Sequence, residues 1–295
     1  MTDTVQHVDD RTRPGDARRS GSWRRLGKRL RRQPGLALGL LILALLLAIV
    51  AAPWLFTNAD PNVVNPAERL SPPSGEHWFG TDDVGRDIYA RVIYGTRVTL
   101  GILLASLAFA GVLGGTSGIV AGYLGRSTDM LFGRGVDVIL SFPPLILGLI
   151  LTGILGAGTQ NLVLAMSVIY FPTFFRIGRS GTMSESTKVY AEAAYALGYS
   201  RFRILSRHIA RNVVPLLLAQ LMVVFPLALQ IQAALSFLGL GVQPPTPDWG
   251  NILEQSQNFL LAAPWMSAFP GLAILVSALG MILLGRAAQA SVDDA

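Results

Sequence analysis

Six predominantly apolar runs, at about 35–56, 98–123, 136–156, 161–178, 213–240 and 265–285, alternate with polar stretches along the chain. Most are close to the roughly twenty residues that a helix needs to cross a bilayer, so the pattern predicts an all-α membrane protein with about six transmembrane helices. The third run carries Pro143-Pro144 and the fourth Pro172; proline is tolerated in a span when neighbours satisfy the freed carbonyls. Basic residues before the first run and Ala51-Ala52 at its end also fit a secretory signal. That run exceeds the roughly 7–15 apolar residues of such signals, so it reads as a retained span. One polar interruption stands out, at 184–215: an Ala-, Tyr- and Leu-rich stretch from Ser186 to Leu197, a stop at Gly198, and a restart after Ser200. Glycine ends helices and serine begins them, so the segment predicts helix, turn, helix.

Composition agrees, with 51% hydrophobic and 14% charged residues, far fewer charges than the roughly 25% of soluble domains. The organisation that follows is a basic N-terminal arm (1–34), a first span with an outside segment (35–97), a five-helix core (98–285) including the polar loop 179–215, and a short tail (286–295). Charge then sets orientation. Around the polar loop seven basic residues (Arg176, Arg179, Lys188, Arg201, Arg203, Arg207, Arg211) face two acidic ones (Glu185, Glu192), the bias of a cytoplasmic loop. Six spans with both termini in the cytoplasm leave only Arg69, Arg86, Arg91 and Arg97 outside among 24 basic residues. The net charge of +6 sits at membrane borders, where it meets lipid headgroups, and does not point to nucleic acid.

Candidate chemistry is sparse. There is no Cys, and His7, His77 and His208 lack metal-ligand spacing, so no metal is expected. No phosphate-loop motif is present, so the chain is not expected to bind or hydrolyse ATP, to act as an enzyme or to carry a cofactor of its own. No Asp, Glu, Lys or Arg occupies a span centre, which disfavours an ion-coupled carrier. Gln230, Gln232, Ser236 and Asn161 either line a path or bond between helices; the substrate path itself is not legible. Gly111 and Gly115, and Gly114, Gly118 and Gly122, recur at four-residue spacing, which lets a partner subunit or another helix of this chain approach closely. In the outside segment Thr81 is expected to cap a short helix with Ile88, Tyr89, Val92 and Ile93 on one face. Asp82, Asp83 and Asp87 are expected to pair with the basic residues that follow them. In the last outside loop Trp249 and Trp265 suit the headgroup interface.

Glu192-Ala193-Ala194, three residues, then Gly198 resembles the EAA loop of permease subunits of ATP-binding-cassette (ABC) importers. Gly80-Thr81-Asp82-Asp83 followed by Gly85-Arg86-Asp87 resembles a signature of the dipeptide, oligopeptide and nickel branch of that family, and LSFLGLGVQ and PPTPDWG are similar to the same branch. The resemblance covers roughly 36–285. It implies the type I ABC importer permease architecture in a bacterial cytoplasmic (inner) membrane. It also implies coupling to ATPases through Glu192, Ala193, Ala194, Gly198 and Arg201, in a helix seated in a groove of the ATPase. The implied partners are a second homologous permease subunit, two ABC ATPase subunits carrying ATP and Mg, and an extracytoplasmic substrate-binding protein. The implied cargo is short peptides, or else nickel, opines or another small solute. Two features depart from the family pattern: Arg211 stands where a Pro is usual, and the ending LLGRAAQASVDDA is atypical.

Overall fold

A computed structural model describes residues 34–293; residues 1–33 of the basic arm, and residues 294–295, lie outside the described residues. The described chain is helical. The first span is α1 (Pro34–Ala51), closed by a 3-10 turn at Pro53–Leu55. The second is α2 (Ile88–Leu124), 37 residues long. The third predicted run is a bent pair, α3 (Arg126–Leu140) and α4 (Pro144–Leu155), meeting at 94°. The break falls at Ser141-Phe142-Pro143, where two successive prolines remove backbone donors and Pro144 opens the new helix. Pro172, by contrast, lies inside an unbroken α5 (Thr159–Ser186). The coupling candidate is α6 (Val189–Ala196), and α7 (Arg201–Phe237) follows with a π-helical stretch at Ile204–Ile209. A short α8 (Trp249–Ser256) precedes α9 (Trp265–Asp293). Among the described residues, five helices are long and apolar enough to cross a membrane, and the bent pair is the candidate sixth.

The expected short helix at 88–93 is not separate; it is the first two turns of α2. Its cap is Asp87, whose Oδ1 accepts from the Ala90 amide at 2.7 Å, and not Thr81. Thr81 instead donates to the Glu68 carbonyl and accepts from the Ser71 amide, which draws it away from the helix start. Departure from the Pro pattern at Arg211 coincides with the π-helical turn just before it, so α7 is continuous there but wound wider.

The α2–α5 pair is the most extensive helix contact, with α1 against α9, α9 against α7 and α5 against α7 completing the bundle. Glycines set how closely α2 and α5 approach. A Cβ placed on Gly118 would stand 2.2 Å from the Phe175 carbonyl oxygen, and one on Gly114 2.5 Å from that of Phe171. The small-residue stripe is therefore spent on this chain's own helices. Around the contact, Leu103, Leu107, Leu162, Met166 and Phe174 fill the interior with almost no exposure.

Candidate functional site

The helix ends gather the polar residues into two groups, one at each end of α2. At the C-terminal end, called the loop end, α6 lies across the bundle. Only Ala191 and Ala194 are buried in it, and Ala194 packs with Ile119, Ile204, Ile209 and Val213. Glu192 and Ala193 face outward, so of the two expected close-approach alanines one turns inward and the other is exposed. Gly198 turns the chain at φ +79°, a conformation that glycine adopts without strain. Ser200 occupies the N-cap position of α7 without a side-chain capping bond, and Arg201 follows it, exposed. Val189, Tyr195, Leu197 and Phe202 are all more than 60% exposed and present an apolar surface beside Glu192. A groove of about 370 Å³ runs along α6 between Tyr123, Glu192, Tyr195 and Ile204.

Polar ties hold this end in place. The Arg179 guanidinium grips both Asp129 carboxylate oxygens, joining α3 to α5. The carboxylate of Glu185 accepts from Lys188 Nζ at 2.5 Å, Tyr190 Oη at 2.6 Å and Asn212 Nδ2 at 3.0 Å. The sequence reading counted Glu185 only as charge. Its (i, i+3) spacing to Lys188 was a visible signal; its partnership with Asn212, 27 residues on, had none.

At the other end, the clasp end, Gly80, Thr81, Asp82, Gly85, Arg86 and Asp87 knot the start of α2 to the rest of the chain. Thr81 and Asp87 form an isolated antiparallel bridge. Asp82 accepts from the Val84 and Arg86 amides and, at 2.6 Å, from Arg86 Nε. Fully buried Arg91 stands 3.8 Å from the same carboxylate and donates to the Pro61 carbonyl and to Gln255 Oε1. Arg86 donates to Gln255 as well, at 2.8 Å, so segment 61–87, α2 and α8 share one buried network. The expected pairing of acids with the basic residues after them thus holds for Asp82 and, at 4.0 Å from Arg86, for Asp83, whereas Asp87 bonds to the helix start and to His77.

His77 bridges two carboxylates, Asp87 through Nδ1 at 2.7 Å and Glu68 through Nε2 at 3.1 Å. The hydrogen bond to Asp87 is the main cause that raises its pKa above 6.5; partial burial opposes this and Glu68 adds to it. A raised imidazole pKa contributes stability that is fully present below 6.5 and is lost as pH climbs through the raised value. The purified chain is expected to melt at lower temperature as pH rises through that window, and His77→Gln to flatten the dependence, as thermal melts across pH would show.

Trp249 is not an interfacial anchor. It is fully buried, and its Nε1 donates to the Val92 carbonyl at 3.1 Å. Beside it, Asp248 is fully buried, capping α8 and accepting from Thr99 Oγ1 at 2.6 Å, and burial pushes its carboxyl up. Trp265 is half-buried, donating to the Thr81 carbonyl at 3.2 Å. Gln232 donates to the Thr99 carbonyl, a bond between α7 and α2, and Asn161 covers the carbonyls of Leu155 and Gly156.

A protein-family profile described as "Binding-protein-dependent transport system inner membrane component" matches residues 114–294. The chain is 38% identical over 271 residues to the dipeptide transport system permease protein DppC of Alkalihalophilus pseudofirmus, covering 92% of this chain and 89% of that protein. It is 38% identical to the probable D,D-dipeptide transport system permease protein DdpC of Escherichia coli, over 83% of this chain and 82% of that one. It is 33% identical to the glutathione transport system permease protein GsiD of Pectobacterium atrosepticum, over 92% and 90%. A continuous match over most of both lengths, on a bundle of membrane-length helices, makes this chain a member of the family of inner membrane components of binding-protein-dependent transport systems.

Proposed function

We propose that the chain imports short peptides as one permease subunit of an ATP-driven complex, with α6 as the element that docks on an ATPase. The carrying observation is the asymmetry of α6. Its buried side is two methyl groups and a set of charged hydrogen bonds, while its outer side leaves Val189, Tyr195, Leu197 and Phe202 bare beside Glu192. Large apolar side chains clustered on a surface rimmed by polar residues mark a protein contact. Glu192, Ala193 and Ala194 lie on α6, Gly198 supplies the turn and Arg201 begins the return helix.

On this reading the loop end faces the cytoplasm, as its basic residues favour, together with both termini; the clasp end faces outward. There Gly80, Thr81, Asp82, Gly85, Arg86 and Asp87 keep the outer surface in one shape for a binding protein to meet. A second permease subunit completes the path, and two ATPase subunits carry ATP and Mg. Residues 1–34 and 286–295 act as an inner arm and tail around the core of 98–285. Peptide cargo is supported by the relatives, whose names specify dipeptides, D,D-dipeptides and glutathione.

Affinity purification of the chain from its native membrane is expected to bring down ATPases, a second permease and a binding protein. Tyr195→Asp, at a side chain more than half exposed, should leave the chain in the membrane yet reduce ATPase recovery about tenfold or more, the scale of burying an unpaired charge in an interface. Gly198→Val, which forces a β-branched side chain into the left-handed region at φ +79°, should lower uptake with the protein still present. Full ATPase recovery with Tyr195→Asp, or normal uptake with Gly198→Val, would sink the docking role.

A further inference from the structure

Glu185 sits at the last turn of α5, 9% exposed, and bonds to groups on both sides of a chain reversal. Lys188 precedes α6, Tyr190 is in its first turn, and Asn212 belongs to α7. Asn212 Nδ2 also reaches Tyr190 Oη at 3.1 Å, which closes a ring of three side chains from three helices. Little else holds α6. Its apolar burial is confined to Ala191 and Ala194, and its far end leaves through the Gly198 turn, around which an added Cβ would meet nothing. Methyl groups slide; bonds to a charged carboxylate are short, directional and roughly twice as strong as neutral ones. A force applied to the outer face of α6 therefore has, besides the chain link at Thr187-Lys188 and the packing of Ala194, a directional route through the Glu185 carboxylate into α5 and α7. Of these, α5 is backbone-tight against α2 and α7 contains the π-helical turn and Pro215 and Pro226.

We infer that Glu185 is a positioning residue for transport: with Tyr190 and Asn212 it forms the latch through which movement of α6 reaches the spanning helices. This rests on the docking of α6 proposed above and goes beyond it. The latch differs from the docking face, because Glu185 is buried and Tyr195, Leu197 and Phe202 are not. Loss of the latch should separate ATP hydrolysis from import, whereas loss of the face should separate the subunits.

The test uses the whole importer in proteoliposomes, reading ATPase recovery, ATP hydrolysis and peptide uptake. Glu185→Gln keeps the shape and removes the charge. ATPase recovery and hydrolysis are expected to stay within about twofold of the unaltered complex while uptake per ATP falls about tenfold, the scale of losing hydrogen bonds to a charged group. Asn212→Asp, which sets two carboxylates against each other, should fall similarly. The double variant Glu185→Gln with Asn212→Asp exchanges amide and carboxylate across the same contact and should recover most of the uptake, which a merely structural defect would not do. Tyr190→Phe, lacking one hydroxyl only, should fall about threefold and supplies the answer if Glu185→Gln is not made in the membrane. Normal uptake per ATP in Glu185→Gln or Tyr190→Phe, a fall that only tracks lost ATPase, or no recovery in the double variant would overturn the latch. If ATPases bind the unaltered chain, depart with Tyr195→Asp and Glu185→Gln still imports, the latch alone falls. If no ATPase accompanies the unaltered chain, docking and latch fall together.

Discussion

Gly118→Leu should abolish accumulation of folded protein, and Gly118→Ala alone should lower the melting temperature by several degrees. The obstacle is the Phe175 carbonyl oxygen, 2.2 Å from where the new Cβ would be, with the Arg179 amide nitrogen 3.0 Å away. Both are backbone atoms of α5, so no side chain can rotate aside. Relief requires α2 and α5 to separate by the better part of an ångström along their whole contact, at the most extensive helix pair in the fold. Overpacking of this kind costs on the order of 1–3 kcal/mol for small increments and more for a leucine. Against a total stability of roughly 5–15 kcal/mol, that decides whether the bundle forms. The control is in the same helix: at Gly101 an added Cβ meets nothing within 4 Å, so Gly101→Ala should melt at or above the parent temperature. Detergent-extracted variants compared by size-exclusion profile and thermal melt would show the contrast. Equal profiles for Gly118→Leu and the parent chain would mean that the two helices are not packed as described.

The second large effect is expected from Gly85→Ala. This position has φ +82°, and a Cβ there would sit 1.8 Å from the Asn65 carbonyl oxygen. The turn between Asp82 and Arg86 must then reopen, and the bonds that Asp82 makes to the Val84 and Arg86 amides go with it. Arg91 would remain buried beside a carboxylate no longer held in place. Breaking a buried charge pair from one side costs on the order of 3–5 kcal/mol. Limited proteolysis should cut segment 57–87 of Gly85→Ala much faster than that of the parent chain. Gly75→Ala, with nothing near its Cβ, should be cut at the parent rate. Identical cleavage of Gly85→Ala and Gly75→Ala would refute the knot.

Hydropathy located the spanning helices because a bilayer demands about twenty apolar residues of any helix that crosses it. It does not show where the helices end, since they run on past the apolar stretch into segments whose polar side chains pack against the rest of the chain. Arg91 and Thr96 extend α2 before its apolar run, Thr182 and Glu185 extend α5 after it, and Arg201–Asn212 begin α7 ahead of its run. Pro143-Pro144 and Pro172 look alike in sequence, yet one pair marks a 94° bend and the other residue lies in an unbroken helix. Gly198 was legible because a positive φ selects its residue locally. Trp249 was misread because an indole suits an interface or an interior equally well, and the deciding partner, the Val92 carbonyl, is 157 residues away. Glu185 escaped notice for the same reason: its role depends on residues that only folding brings together.

The length of α2 has a mechanical consequence. Thirty-seven residues make a rod of about 55 Å, against a hydrocarbon layer of about 30 Å. One tip is fastened in the knot at Asp87; near the other, Ile119 and Tyr123 lie beside α6. The tight contact with α5 runs through Gly114, Gly118 and Gly122, in the last third of the rod, so most of α2 lies to one side of it. With arms this unequal, a tilt about that contact would carry the Asp87 tip several times as far as the Tyr123 tip, and in the opposite direction. A small stroke beside α6 would then become a wider movement at the Asp87 end, with the knot from Gly80 to Asp87 travelling along with α2 as one piece.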